Sequence, residues 1–241
     1  MLDRCNDHLL ALSAFTKRYG DHTAVDGLTL SVDPGEIVCL LGANGAGKTT
    51  TLNALLGFVV PNSGSAQVAG RDAHLEPLHA RRQVAYIPEI VALYDQLTGA
   101  ENVAFLGAMA GLTLEHSALA RHLEQAGLAR TFHDRQVGTY SKGMRQKVGI
   151  ALALARGSRA LLLDEPLSGL DPQAAQEFGQ LLQQRAAAGT AVLMATHDLY
   201  RAREIATRIG ILRAGKLVDE LAASELAPKD LERIYLQHMR A

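Results

Sequence analysis

The residues best suited to chemistry begin with a glycine-rich run, Gly42-Ala43-Asn44-Gly45-Ala46-Gly47-Lys48-Thr49-Thr50. Glycines let a backbone turn with its N–H groups pointing inward, and a helix N-terminus behind them adds partial positive charge at the same spot. Lys48 is placed to meet the β- and γ-phosphates of a nucleoside triphosphate, and the Thr49 hydroxyl to ligate Mg²⁺. A glycine-rich turn that merely joins a strand to a helix is the alternative. The flanks favour the phosphate loop: apolar Ile37-Val38-Cys39-Leu40-Leu41 precedes it, and Leu52-Asn53-Ala54-Leu55-Leu56 follows in a helical pattern. A second group closes another apolar strand, Ala160-Leu161-Leu162-Leu163-Asp164-Glu165-Pro166. An aspartate at a buried strand tip can hold Mg²⁺, and the glutamate after it can orient or deprotonate an attacking water. Two acids in that place otherwise open a solvated loop; the Lys-Thr loop upstream favours catalysis.

Three weaker signals depend on their company. His197 tips the apolar strand Thr190–Thr196, at the carboxyl end where open α/β sheets bind ligands; alone, such a histidine is more often structural. Ser141 and Gly143 in Tyr140-Ser141-Lys142-Gly143-Met144 start a helix, with Ser141 as its cap, and form a second anion-binding tip or simply a capped helix. Tyr19 either stacks on a purine base or is an ordinary half-buried tyrosine.

The elements that must position these residues follow from periodicity. Strands are predicted at 8–15, 27–32, 37–41, 66–70, 84–87, 160–163, 190–196, 209–212 and 215–218, with 33–36 a turn and 61–65 a loop. The early strands form an antiparallel sheet beside the nucleotide. Residues 90–155 are largely helical in pattern, and the helix after Ser141 is expected to bury Val148, Ile150, Leu152 and Leu154. Another helix starts near Gln173 and stops at Gly189, and 224–239 forms a short charged helix.

Length and composition set the bounds. The 241 residues, 48% hydrophobic and 20% charged, suit one α/β domain with a sizeable core. With 24 basic residues against 25 acidic ones there is no electrostatic case for nucleic acid. Cys5 and Cys39 make no disulfide framework, and Cys39 reads as a core residue in a reducing cytoplasm. Met1-Leu2-Asp3-Arg4 alternates charges early and no long apolar run follows, so no signal peptide is expected. The uncharged stretch from Thr49 to Gly70 is broken by Pro61, Asn62 and Gly64, so no membrane span is expected and a membrane role must come through a partner.

In this order, the pieces resemble the ATP-binding cassette of ABC transporters, from about His8 to Val218. Gly42–Thr50 matches the Walker A loop, and Leu161–Glu165 matches Walker B with the catalytic glutamate. Ser141-Lys142-Gly143-Met144 occupies the ABC signature, Ser168–Asp171 resembles the D-loop, His197 the switch histidine and Tyr19 the residue that stacks on adenine. The resemblance implies an α/β P-loop NTPase: a RecA-like core with an antiparallel β subdomain, plus an inserted α-helical subdomain carrying the signature. It divides the single domain, 1–241, into a core at 1–88 and 156–220, a helical subdomain at 89–155 and a helical tail at 221–241. It makes Glu165, His197 and Lys48 catalytic. It gives Tyr19, Gly42, Ala43, Asn44, Gly45, Ala46, Gly47, Lys48, Thr49, Thr50, Glu89, Ser141, Gly143, Asp164 and Asp171 to ATP, and Thr49, Asp164 and Glu89 to Mg²⁺.

Two departures from the family pattern narrow the resemblance. The usual signature Leu-Ser-Gly-Gly-Gln is replaced by Tyr140-Ser141-Lys142-Gly143-Met144, and the Q-loop glutamine by Glu89, whose carboxylate could reach Mg²⁺ or its waters. Both resemble the ATPase subunits of ABC-2-type exporters of drugs, antibiotics and sodium, and the copper-maturation ATPase of nitrous-oxide reductase. The resemblance implies two cassettes meeting head to tail around two ATP molecules, peripheral on the cytoplasmic face of the inner membrane; the intact set of motifs favours a homodimer over pairing with a different cassette. There it would drive a separate integral membrane permease docked near Glu89. The alternatives are a soluble ABC ATPase acting on ribosomes or DNA, disfavoured by the single cassette and the absence of a basic excess, and an importer ATPase, disfavoured by Glu89 and the altered signature.

Overall fold

The computed structural model describes residues 8–240, so Cys5 and Met1-Leu2-Asp3-Arg4 lie outside the described residues. In chain order the strands and helices begin with β1 (Leu10–Tyr19), β2 (His22–Val32), β3 (Ile37–Leu41), α1 (Lys48–Leu55), β4 (Ser63–Val68), β5 (Arg71–Asp72), α2 (Pro77–Gln83) and β6 (Val84–Ile87). Three helices then leave the sheet: α3 (Gly99–Met109), α4 (His116–Gln125) and α5 (Lys142–Ala155). The chain returns through β7 (Ala160–Asp164), α6 (Pro172–Ala187), β8 (Ala191–Thr196), α7 (Leu199–Ile205), β9 (Arg208–Arg213), β10 (Lys216–Ala222) and α8 (Pro228–Arg240). One sheet has the order β2-β1-β4-β5 and is antiparallel. The other runs β10-β9-β3-β8-β7-β6 and is parallel except for β10.

Strands apolar at every position are what a sheet buried on both faces requires, and all five residues of β3 are buried. Their alternation sorts the interior into two cores. Val38 and Leu40, with Leu162, Leu193 and Leu212, pack toward α1 and the antiparallel sheet around Leu52, Leu55, Phe15 and Leu28. Ile37, Cys39 and Leu41, with Leu161, Leu163, Val192 and Met194, pack toward Val148, Ile150, Phe178 and Leu182. Side chains of this size stabilise by about 1.5–3 kcal/mol each when fully buried. Burial pushes the Cys39 thiol far above its ordinary range, which makes it an inert part of the second core. Register places the carboxyl ends of β3, β7 and β8 side by side, with Leu41 opposite Thr196 and Asp164 opposite Ala195. That shared edge is where the chemistry-bearing residues collect.

Several boundaries differ from the sequence expectation. β1 runs on to Tyr19 and β2 starts at His22, because Gly20, at φ 57°, turns the chain back so that Tyr19 pairs with His22. β4 begins at Ser63, inside the expected loop, since Ser63 pairs with Thr16 and Ser65 with Ser13. The short helices α2 and α7 were not anticipated; Pro77 opens one, and Asp198 caps the other by accepting from the Arg201 N–H. Residues 90–98 are irregular, and α3 starts only at the capping box of Thr98 and Glu101. Leu152 and Leu154 are half-buried while Ala151 and Ala153 are buried, because positions two apart cannot all share one face at 3.6 residues per turn. No helix among the described residues is long and apolar enough to cross a membrane.

Candidate functional site

The glycine-rich loop leaves β3 with the Gly42 N–H donating to the Thr196 carbonyl, and Gly47 caps α1. Gly47 has φ 106°, and a Cβ there would lie 2.4 Å from the Ala24 carbonyl oxygen. Only glycine fits both constraints. A Gly47→Ala substitution is expected to cost about 1–2 kcal/mol for the left-handed backbone and a further ~1–3 kcal/mol for overpacking. It would read as a lower melting temperature together with lost ATP binding; an unshifted melt would contradict the geometry. Lys48, only 7% exposed, lies beneath the loop. Its Nζ donates to the carbonyls of Gly42 at 2.7 Å and Ala43 at 3.3 Å, and stands 3.4 Å from Glu165 Oε1.

The acids of β7 complete this arrangement. Thr49 Oγ1 donates to Asp164 Oδ2 at 2.9 Å, and the Tyr86 hydroxyl, on the neighbouring strand, stands 3.4 Å from the same oxygen. Burial pushes the Asp164 carboxyl above its usual range; the Thr49 hydrogen bond and the Lys48 charge oppose the shift, and the Glu165 charge adds to it. Burial first, then Asp164, pushes the Tyr86 hydroxyl up to about 12. Glu165 sits in the left-handed region at φ 47°, its N–H donating to the Ala195 carbonyl and its Oε1 2.9 Å from His197 Nδ1. The paired hydroxyl and carboxylate of Thr49 and Asp164 are hard oxygen donors of the kind Mg²⁺ prefers. Among the described residues no cluster of three His, Cys, Asp or Glu could hold a metal. The pair therefore suits an ion that brings phosphate oxygens and waters with it.

Around these groups lies a cleft of about 400 Å³, lined by Tyr19, Gly45, Lys48, Thr49, Glu89, Asp164 and Glu165 among others. Ala43, Asn44, Ala46, Gly47 and Thr50 also line it, and Gly42 contributes its carbonyl to Lys48. Tyr19 is 51% exposed at the rim, with Lys17 Nζ 4.8 Å from its ring centre. Loop residues and Lys48 on one side, with the Asp164 and Glu165 carboxylates on the other, can hold a polyphosphate and take a proton from water; His197 meets Glu165 but does not itself line the cleft.

Ser141, Gly143 and Asp171 do not line this cleft. They form a second cluster: Ser141 caps α5, accepting from the Met144 N–H at 3.3 Å, and Asp171 caps α6, accepting from the Ala174 N–H at 2.9 Å. A Cβ on Gly143 would touch Leu170 and Ala174. An ion pair between Lys142 Nζ and Glu89 Oε1, at 3.5 Å, joins the two sites. The two departures from the family pattern thus meet each other, and the Glu89 carboxylate has a cation beside it. Three residues outside the sequence motifs also reach the site: His22, which enters the cleft because it pairs with Tyr19, and Tyr86 and Thr196. The position of Thr196, next to His197, was the available signal.

Comparison with known proteins shows the family. Residues 25–168 match the family described as ABC transporter. The chain is 36% identical over 216 residues to the Nod factor export ATP-binding protein I of Burkholderia pseudomallei (strain K96243), covering 89% of this chain and 71% of that one. It is 35% identical over 216 residues to the daunorubicin/doxorubicin resistance ATP-binding protein DrrA of Streptomyces peucetius, covering 89% and 65%. Among solved structures it superposes on the ATP-binding subunit of an ABC transporter with a TM-score of 0.81 at 30% identity, covering 96% and 99%. A dimeric ATP-binding cassette in a post-hydrolysis state bound to ADP and Pi gives a TM-score of 0.77 at 26% identity, covering 89% and 98%.

Proposed function

This chain belongs to the ABC transporter family of ATP-binding proteins, which are ATPases, and from that premise we propose that it is the energising subunit of an ABC-2-type exporter. The observation that carries the ATPase reading is the convergence of Lys48, Thr49, Asp164 and Glu165 on one cleft beneath the phosphate loop. Lys48 turns from the Gly42 and Ala43 carbonyls to the β- and γ-phosphates. Loop amides from Gly42 to Thr50 surround the phosphates, and Tyr19 stacks on the base. Thr49 and Asp164, with Glu89 at the rim, would hold Mg²⁺, which neutralises phosphate charge. Glu165 takes the proton of the attacking water, and His197 holds the γ-phosphate.

In this reading the site is completed by a second copy of the chain. Ser141, Gly143 and Asp171 lie outside their own cleft, and a head-to-tail homodimer would bring them to the ATP of the other subunit. ATP joins the two halves; loss of the γ-phosphate releases contacts on both sides and lets them part. Residues 89–155 then act as a helical unit against the core at 8–88 and 156–222, β10 carrying the core two residues past the expected boundary at 220, with α8 as a tail. An apolar groove of about 230 Å³ beside Glu89, lined by Ile87, Pro88, Val91, Leu93, Leu106 and Leu152, suits a permease docked from the cytoplasmic face of the inner membrane. The export and drug-resistance names of its relatives support the direction.

The test is a pull-down of tagged Glu165→Gln protein from detergent-solubilised membranes of its host, with ATP and Mg²⁺ present. A polytopic membrane protein recovered in stoichiometric amount is the expected result. An ATP-bound dimer accompanied only by ribosomes, nucleic acid or nothing would overturn the exporter reading.

A further inference from the structure

We propose that Thr196 is a positioning residue for hydrolysis: its hydroxyl fixes the Glu165 carboxylate so that one oxygen is anchored and the other faces the attacking water. The inference rests on the reading of Glu165 as proton acceptor. Thr196 ends β8 directly before His197 and is 2% exposed. A polar side chain so deeply buried needs partners. Its hydroxyl has two, donating to Glu165 Oε2 at 3.2 Å and accepting from the Asp198 N–H at 3.1 Å.

The two oxygens of Glu165 are therefore not equivalent. Oε2 receives the Thr196 hydroxyl. Oε1 is buried and has no aligned hydrogen-bond donor among the described residues, although Lys48 Nζ lies 3.4 Å away and His197 Nδ1 2.9 Å away. Lys48 and His197 are the two groups that the proposed mechanism sends to the phosphates. Once they leave, Thr196 is the side chain still holding the carboxylate, and Oε1 keeps its lone pairs for water. Backbone geometry works to the same end. Glu165 holds a left-handed φ of 47°, which persists in a non-glycine residue only when its surroundings over-determine it. The Glu165 N–H is tied to Ala195 and its carboxylate to Thr196, so both ends of the residue are fastened to the tip of β8. Because the same hydroxyl receives the Asp198 N–H, His197 lies on a backbone span pinned to the atom that orients Glu165. One hydroxyl thus sets the relative placement of both groups.

Thr196→Val keeps the branched shape and removes the hydroxyl, whereas Thr196→Ser keeps the hydroxyl. A loosened base of this kind is expected to lower kcat by about tenfold to a hundredfold, in line with the cost of ångström-scale misplacement. The KM for ATP and the equilibrium affinity measured by calorimetry should stay within about twofold, and Thr196→Ser should recover most of the rate. In a Glu165→Gln background the same Thr196→Val change should cost nothing further, since the carboxylate it orients is gone. Parental turnover in Thr196→Val, an equal loss in Thr196→Ser, or a parallel loss of ATP affinity would each overturn the proposal. Parental turnover in Glu165→Gln alone would overturn the reading of Glu165 first, so the two failures are distinguishable.

Discussion

Turnover of Glu165→Gln protein is expected to fall by about 10²–10⁴-fold, the usual contribution of a positioned proton acceptor, while ATP binding is retained. The expectation follows from where the carboxylate sits. Glu165 is mostly buried, its Oε1 is unclaimed by any aligned donor among the described residues, and it lines the cleft of the loop proposed to hold the triphosphate. Glutamine matches its shape and can still meet the Thr196 hydroxyl, but it cannot accept a proton. It also removes a negative charge from beside the place of the γ-phosphate, so nucleotide affinity should hold or improve. Single-turnover hydrolysis and nucleotide titration separate the two effects. Unchanged turnover would remove Glu165 from the role assigned to it.

Lys48→Ala is expected to act one step earlier, on binding itself. Lys48 is a buried cation of the cleft, and among the described residues its aligned hydrogen-bond partners are two loop carbonyls. Transferred to phosphate, it would make charge-assisted hydrogen bonds worth about 1.5–3 kcal/mol each. Losing one of these weakens ATP binding by roughly tenfold to a hundredfold. The substitution also leaves Glu165 without its neighbouring cation, so the nucleotide-free protein should melt lower. Titration with ATP is the direct check, and parental affinity in Lys48→Ala would contradict the placement of the phosphates over this loop. The two substitutions should therefore differ in kind: Glu165→Gln holds nucleotide without turning it over, and Lys48→Ala fails to hold it.

What the sequence made legible was local. The phosphate loop is contiguous, its flanks are a strand and a helix, and Asp164 and Glu165 tip an unbroken apolar strand. The parallel sheet could be expected from the same apolar runs. Contacts between distant segments were not legible. The bond from Thr196 to Glu165 requires that β7 and β8 be neighbours in the register that sets Asp164 against Ala195. The ion pair of Lys142 with Glu89 requires the three helices between β6 and β7 to fold back on the strand they leave. His22 reaches the cleft only through the turn after Tyr19, where charged Lys17 and Arg18 hid the continuation of the strand. Helices as short as α2 and α7 carry too few turns to show a period. The expectation for Leu152 and Leu154 failed because a strand-like spacing was applied to a helix.

The central claim is that the hydrolytic site is divided between two copies of the chain, with Ser141 and Gly143 of one meeting the nucleotide of the other. Light scattering of the Glu165→Gln protein in solution, with and without ATP and Mg²⁺, tests it most directly. The account predicts the mass of one 25.8 kDa chain without nucleotide and twice that mass with it, the doubling being abolished by Ser141→Arg. A protein that binds ATP fully yet keeps the mass of a single chain would contradict it.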